Sequence, residues 1–140
     1  MGNNRLKIVY TYDVFSSQSY GGISRYYFEL IRRISPKEAD VKILAGLYIN
    51  EYFKSLPETK GIKVSSLKYT GFIRRKINKI FQEIMLLGTG SEIILHKTFY
   101  YEPYIKIQGK VVVTVYDMIS EIFPQYFSAG DNISLLKKRC

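Results

Sequence analysis

The chain has 140 residues, enough for one domain with its own core, and 46% of them are apolar, as in a globular protein. Lysine and arginine number 21 against 12 acidic residues, a formal net charge of +9 that favours anionic partners: nucleic acid, anionic lipid or phosphorylated substrates. The one cysteine, Cys140, excludes an internal disulfide and any multi-cysteine zinc or iron–sulfur site, fits a reducing cytoplasmic setting, and leaves no cofactor expected.

Met1 to Arg5 lead directly into a strand, so no signal peptide is expected, and no apolar run approaches the ~20 residues of a membrane span. Residues 6–12 predict a strand apolar enough on both faces to be central. A glycine-bearing loop follows, then a helix over 22–34 carrying Ile23, Tyr27, Leu30, Ile31 and Ile34, closed by Pro36. Residues 41–47 predict a second strand, 51–56 a helical turn, and 61–67 contain a short third strand. A long helix over 71–87 ends at Gly88-Thr89-Gly90, a fourth strand covers 91–97, and the β-branched run Val111-Val112-Val113 marks a fifth over 110–116. A last helix starts near Asp131 or Asn132 as N-cap and stops in mid-pattern, which suggests a fragment of a longer protein. Short apolar strands alternating with helices indicate an α/β domain with a mainly parallel sheet covered on both faces. Ligands of such sheets bind beyond the carboxyl ends of the strands, which directs attention to the loops after Thr11, Leu95 and Val115.

The first loop contains Gly21 and Gly22, followed by Ile23 and Arg25 at the start of a helix. Backbone N–H groups at a helix start suit a diphosphate, and paired glycines allow positive φ and close backbone approach. The same glycines equally serve a tight turn that packs the helix on the strand. Neither the GxGxxG spacing nor a following Gly-Lys-Ser/Thr is present, which excludes a Walker-type site. His96, the only histidine, falls where the fourth strand should end. There it can bond a sugar hydroxyl or phosphate, shuttle a proton, or be structural; with no second histidine or cysteine nearby, no metal site is expected. Tyr100 and Tyr101 offer a stacking surface to a sugar ring. Asp117 follows the fifth strand, with Glu121 four residues on; the aspartate can bind hydroxyls, act as a base, or cap the next turn.

In the helix over 71–87, Ile73, Ile77, Ile80, Phe81, Ile84 and Leu87 form one stripe, expected to face the core. Arg74, Arg75 and Lys79 lie off it, and from Lys60 to Lys79 there are seven basic residues and no acidic one. That basic face is either simply solvated or a footprint on an anionic membrane, at ~1 kcal/mol per basic residue. It lacks the regular aromatic interleaving of a single-strand nucleic-acid binder, so no nucleic-acid partner is expected.

Three segments together resemble the N-terminal domain of a family 4 retaining glycosyltransferase of the GT-B fold. They are Tyr12-Asp13 through Gly21-Gly22-Ile23-Ser24-Arg25-Tyr26; Ile93-Ile94-Leu95-His96 with Thr98-Phe99-Tyr100; and Val113-Thr114-Val115-Tyr116-Asp117-Met118-Ile119 with Glu121 and Phe123-Pro124. The resemblance covers the whole chain, 1–140, in order and spacing. It implies a Rossmann-like three-layer domain, half of a GT-B fold, facing a C-terminal donor-binding domain that this chain lacks. It also implies metal-independent transfer of a sugar, with retained anomeric configuration, from a nucleotide sugar to a glycan or lipid-linked acceptor in surface polysaccharide synthesis. This fragment alone would be inactive; with the reducing setting read from the single cysteine and the basic helix, the protein is expected to be cytoplasmic and peripheral on the cytoplasmic face of the membrane. The resemblance sets Gly21, Gly22 and Ile23 against the donor diphosphate. It makes Asp117 catalytic and Arg25, His96, Tyr100, Tyr116, Ser120 and Glu121 acceptor-binding. Many relatives carry histidine where Tyr116 stands, and relatives with the Tyr-Asp variant often carry it where Ser120 stands, so no proton-handling role transfers to either. The alternatives are a sugar-nucleotide epimerase on the same scaffold and a non-enzymatic basic α/β module that binds membrane or nucleic acid.

Overall fold

The computed structural model describes residues 5–34, 36–56, 60–66, 70–87, 89–100 and 107–127. In chain order the elements are β1 (Leu6–Tyr10), α1 (Asp13–Ser17), α2 (Gly22–Arg33), β2 (Ala39–Ile43), β3 (Leu47–Tyr48), β4 (Ile62–Lys63), α3 (Thr70–Leu86), β5 (Ile93–Lys97), β6 (Lys110–Val113) and α4 (Ile119–Ile122), with single 3₁₀ turns at Phe53–Ser55 and Pro124–Tyr126. The helix expected near Asp131 or Asn132, and Tyr101, lie outside the described residues.

β1, β2, β5 and β6 form one parallel sheet in the order β2-β1-β5-β6. This is an α/β domain of Rossmann-like layout. Strand alternation sends Ile8 and Tyr10 to one face of β1 and Val9 to the other. The first face meets Tyr27 and Ile31 of α2, together with Val41 and Ile43 of β2, in the larger core cluster. The second carries a small cluster of Val9, Leu44 and Leu95, against which Leu86 and Ile107 pack. β2 alternates cleanly, with Ala39, Val41 and Ile43 buried and Asp40 and Lys42 exposed, as suits an edge strand whose charges discourage further pairing.

Three boundaries differ most from the sequence expectation; in the simplest case the fifth strand, expected over 110–116, ends at Val113, leaving 114–116 beyond it. The second strand divides, because Leu47–Tyr48 leaves the main sheet to pair in parallel with Ile62–Lys63. That pairing needs Gly61, where a Cβ would run into the carbonyl oxygen of Ala45. The first strand stops at Tyr10, and the buried one-turn helix α1 follows it.

The larger correction concerns α3. Its buried residues are Arg74, Asn78 and Gln82, three polar side chains at i, i+4 and i+8. Most of the stripe expected in the core faces outward instead: Ile73, Ile77, Ile80 and Ile84 are 59%, 44%, 57% and 59% exposed, and only Phe81 among its members turns partly inward, against Gly46. The reason is what α3 lies against, namely α1 and β3. These present backbone groups that need partners. Arg74 Nε donates to Ser16 O at 2.7 Å in the last turn of α1, where a cation also complements the carbonyl ends of the helix. Asn78 acts as an extra strand beside β3, accepting from Leu47 N at 2.8 Å and donating to Leu47 O at 2.7 Å. Arg74 is therefore part of the interior and not, as the sequence suggested, of a surface basic face; Arg75 and Lys79 are exposed.

Asn78→Leu should destabilise the domain by about 2 kcal/mol even though it adds apolar bulk to a buried position, because it strands both polar groups of Leu47. Ile80→Ala should change stability by less than about 0.5 kcal/mol. Urea unfolding of the two variants checks the contrast; equal losses would contradict this rotation of α3.

Candidate functional site at the carboxyl ends of the strands

β1 and β5 are neighbours, yet the chain leaves β1 toward β2 on one side and leaves β5 toward β6 on the other. Their carboxyl ends thus form a topological switch point. Two buried threonines close its floor. Thr98 N donates to Thr11 Oγ1 at 2.9 Å, Thr98 Oγ1 donates to Thr11 O at 3.1 Å, and Val14 N donates to Thr98 Oγ1 at 3.2 Å. Thr98 N, Thr11 O and Val14 N, released as the strands diverge, thus each find a threonine hydroxyl, and α1 starts directly below.

Above this floor sits a cluster of tyrosines around His96. Tyr27, from α2, donates to Lys97 O at 3.0 Å, and its oxygen accepts from Tyr116 OH at 2.6 Å. The Tyr116 hydroxyl also lies 3.0 Å from Thr98 O, so its one proton is shared between two acceptors. His96 Nε2 shares a hydrogen bond with Thr114 Oγ1 at 3.0 Å and lies 3.5 Å from Tyr27 OH. The ring of Tyr10 lies tilted against His96, and Tyr27 meets it edge-on, with both centroids at 5.2 Å. Tyr100 donates to Thr114 O and accepts from Tyr116 N, both at 3.1 Å, tying the exits of β5 and β6 together.

Burial keeps this cluster uncharged. It lowers the pKa of His96 below the ordinary histidine value and raises that of Tyr10 to about 12, with Tyr27 and Tyr26 adding to the latter. Tyr27 is raised by burial, as is Tyr116, where the hydrogen bond to Tyr27 pushes further the same way. At neutral pH the cluster is a set of neutral donors and acceptors.

Several expected site residues therefore have a different place. Tyr100 is 3% exposed and its hydroxyl is engaged in two backbone bonds, so it offers no stacking face. His96 is buried and bonded within the cluster. Asp117 is exposed beyond β6, where its Oδ1 accepts from Ile119 N at 3.3 Å; the capping alternative is the one that forms. Ser120 is buried and donates to Glu121 Oε2 at 3.0 Å, a bond between two of the expected acceptor residues.

The glycine loop is simpler than expected. Gly21 has φ 176° and ψ 159°, extended backbone that any residue adopts, and no positive φ is needed at Gly21 or Gly22. Gly21 is the N-cap of the twelve-residue α2 and supplies no side-chain cap, while nothing lies within 4 Å of a Cβ placed on Gly22. The start of this helix is thus open over Gly22, whereas the buried side-chain amide of Gln18 lies against Gly21, its Oε1 where a Cβ would be. Ile23 packs its side chain on the core and Arg25 is exposed one turn along. Tyr26, 44% exposed, connects the helix start to the cluster, its ring centroid 6.3 Å from that of Tyr116.

Sequence reasoning brought His96 and Tyr116 forward. It assigned Tyr27 only to an apolar stripe and Thr11 and Thr114 only to strand ends. Tyr27 and His96 meet across 69 residues of sequence and Thr11 and Thr98 across 87, a juxtaposition that residue periodicity does not encode. No family model matches the chain, nor does any curated protein or any solved structure.

Two outcomes follow from this geometry. Thr98→Val keeps the shape but orphans Val14 N and Thr11 O, and should cost about 2 to 4 kcal/mol in urea unfolding. Because the folded pKa of His96 lies below its unfolded value of about 6.5, its contribution to stability is complete above that pH and is lost progressively as the pH falls through it. His96→Gln should remove that part of the acid-side slope. A titration of the single histidine by proton NMR should show a midpoint below about 6.5; a higher one would refute its neutral burial.

Proposed function

We propose that this chain is the acceptor-side, GT-B-type half of a retaining glycosyltransferase of family 4. In this reading a nucleotide sugar bound chiefly by a second domain presents its diphosphate to the backbone N–H groups of Gly22 and Ile23. The observation that carries the proposal is the free space over Gly22 at the start of α2, next to Gly21, on which the Gln18 side chain lies, and beside the β1–β5 switch point. A helix start of this length suits an anion, because its first N–H groups lack intrahelical acceptors and its dipole is positive there.

The reaction is one displacement. A hydroxyl oxygen of a glycan or lipid-linked acceptor bonds to the anomeric carbon on the face that the diphosphate leaves. The carbon–oxygen bond to the diphosphate breaks, and the hydroxyl proton passes to a departing phosphate oxygen. No metal or other cofactor is needed. The diphosphate takes the proton, so the residues of this chain orient rather than titrate. Arg25 adds positive charge near the diphosphate. Asp117, exposed at the end of β6, can accept a hydrogen bond from the acceptor hydroxyl. Ser120 and Glu121 lie on the following turn, and the neutral His96–Tyr116 cluster gives the acceptor side a rigid, uncharged wall.

Gly22→Pro tests this reading without disturbing the helix. Proline is well accommodated at the first helical position, and the extended backbone of Gly21 suits the residue before it. Stability should change by less than about 1 kcal/mol. In the unsubstituted chain, uridine or guanosine diphosphate should shift the amide signals of Gly22, Ile23 and Ser24 in NMR titration, and the proline variant should lose this response several-fold. Shifts scattered over exposed lysines, or an unchanged response in the variant, would count against a diphosphate site.

A further inference from the structure

β3 and β4 pair away from the main sheet, and a cleft of about 460 Å³ opens beyond their carboxyl ends. That is the size of a small-ligand site. Its lining includes Ser19, Ile49, Glu51, Lys63, Ser65 and Ser66, so among the described residues it shares only Ser19 with the loop that leads to Gly21. Buried bonds hold the walls in place. The fully buried side chain of Asn50 donates from Nδ2 to Gln18 O at 2.8 Å and accepts at Oδ1 from Tyr52 N at 3.0 Å and Phe53 N at 3.2 Å. Glu51 N donates to Ser19 O at 3.0 Å, and Val64 N donates to Tyr48 O at 2.8 Å. The cleft is thus formed before any ligand arrives, which lowers the ordering cost of binding.

Charge narrows what fits. Glu51 and Lys63 form an ion pair in the wall, so the lining is neutral in a chain of net charge +9 and gives an anion no advantage there. A paired carboxylate and ammonium still offer a second oxygen and further N–H donors, and the exposed Ser65 and Ser66 bring hydroxyls. Adjacent donors and acceptors of this kind match vicinal hydroxyls. Beside the cleft stands Tyr20, next to Ser19 in the chain and 68% exposed. Its ring is held despite that exposure. It meets Tyr52 edge-on at 5.8 Å, Tyr52 stacks on Phe28 at 5.5 Å, and the Arg32 guanidinium carbon lies 5.8 Å from the Phe28 centroid. An aromatic ring fixed in place yet open to water has an apolar face to fill. We propose that this cleft binds a neutral oligosaccharide, with one sugar ring stacked on Tyr20 and the next hydrogen-bonded to Glu51, Lys63 and the serines. A sugar ring carries C–H groups on its face and hydroxyls at its edge, the same division that Tyr20 and the cleft present. As the seat of an acceptor's outlying sugars, the cleft rests on the sugar transfer proposed above; as a glycan site it does not.

The probes are three neutral tetrasaccharides, maltotetraose, cellotetraose and N-acetylchitotetraose, and the anionic tetragalacturonate. In NMR titration of the unsubstituted chain at millimolar sugar, at least one neutral probe should shift the amide signals of Ser19, Tyr20, Glu51, Lys63 and Ser65 together. Tetragalacturonate should bind these residues no more tightly. Tyr20→Ala should weaken the neutral response about five- to tenfold, the loss expected of one aromatic contact. Tyr20→Trp should restore it, with a sugar-dependent change in emission, since the chain has no tryptophan of its own. Glu51→Gln keeps the shape of the wall but leaves the Lys63 charge uncompensated; it should weaken the neutral sugar several-fold and strengthen tetragalacturonate. Circular dichroism confirms that each variant is folded. Gly22→Pro should leave the glycan response unchanged. Loss of the diphosphate response alone therefore counts against the sugar transfer, and loss of the glycan response alone counts against the cleft. No shift localised to these residues with any neutral probe, an undiminished response in Tyr20→Ala, or tighter binding of tetragalacturonate here by the unsubstituted chain would overturn the proposal.

Discussion

Where β1 and β5 end side by side and the chain departs in opposite directions, backbone groups lose their ladder partners in a place that water does not reach. Burial without partners would cost about 1 to 3 kcal/mol for each. Thr11 and Thr98, both fully buried, meet that demand by bonding each other's backbone. Tyr27 and Tyr116 then meet it one layer further out, at the carbonyls of Lys97 and Thr98. The placement of α1, the seating of α2 and the joined exits of β5 and β6 all depend on this junction. Its hydroxyls are neutral, and burial keeps them so.

That neutrality shapes what the site can do. The charged side chains around it, Arg25 on α2 and Asp117 beyond β6, are exposed, while the buried cluster ties the strand exits together. His96 is accordingly a framework residue of the junction, ordered by Thr114 and two aromatic rings. Asp117 stands outside it, exposed beyond β6. The site thus combines a buried neutral cluster with an exposed polar rim.

α3 follows the same rule of satisfying backbone first. Helix periodicity identified the isoleucine stripe and the helix ends to within a residue, and the natural inference was that the stripe lies in the core. Periodicity reports which residues share a face but not what that face meets. Here the neighbours of the helix are the last turn of α1 and the edge of β3, whose carbonyl and amide groups take Arg74 and Asn78 inward. The isoleucines are left on the other side, with the lysines beside them.

Local pattern alone determined much of this protein: the alternation of strands and helices, the parallel sheet, the position of α2 behind a glycine loop, and the strand end carrying His96. These are legible because backbone propensity, side-chain period and turn residues act over a few neighbouring residues. The tertiary structure decided the rest. It paired Leu47–Tyr48 with Ile62–Lys63, brought Tyr27 to His96, gave Asp117 to a turn, and set the rotation of α3. Each of these depends on which backbone group is left without a partner after the sheet assembles. That is a property of contacts between distant segments, and no stretch of residues carries it by itself.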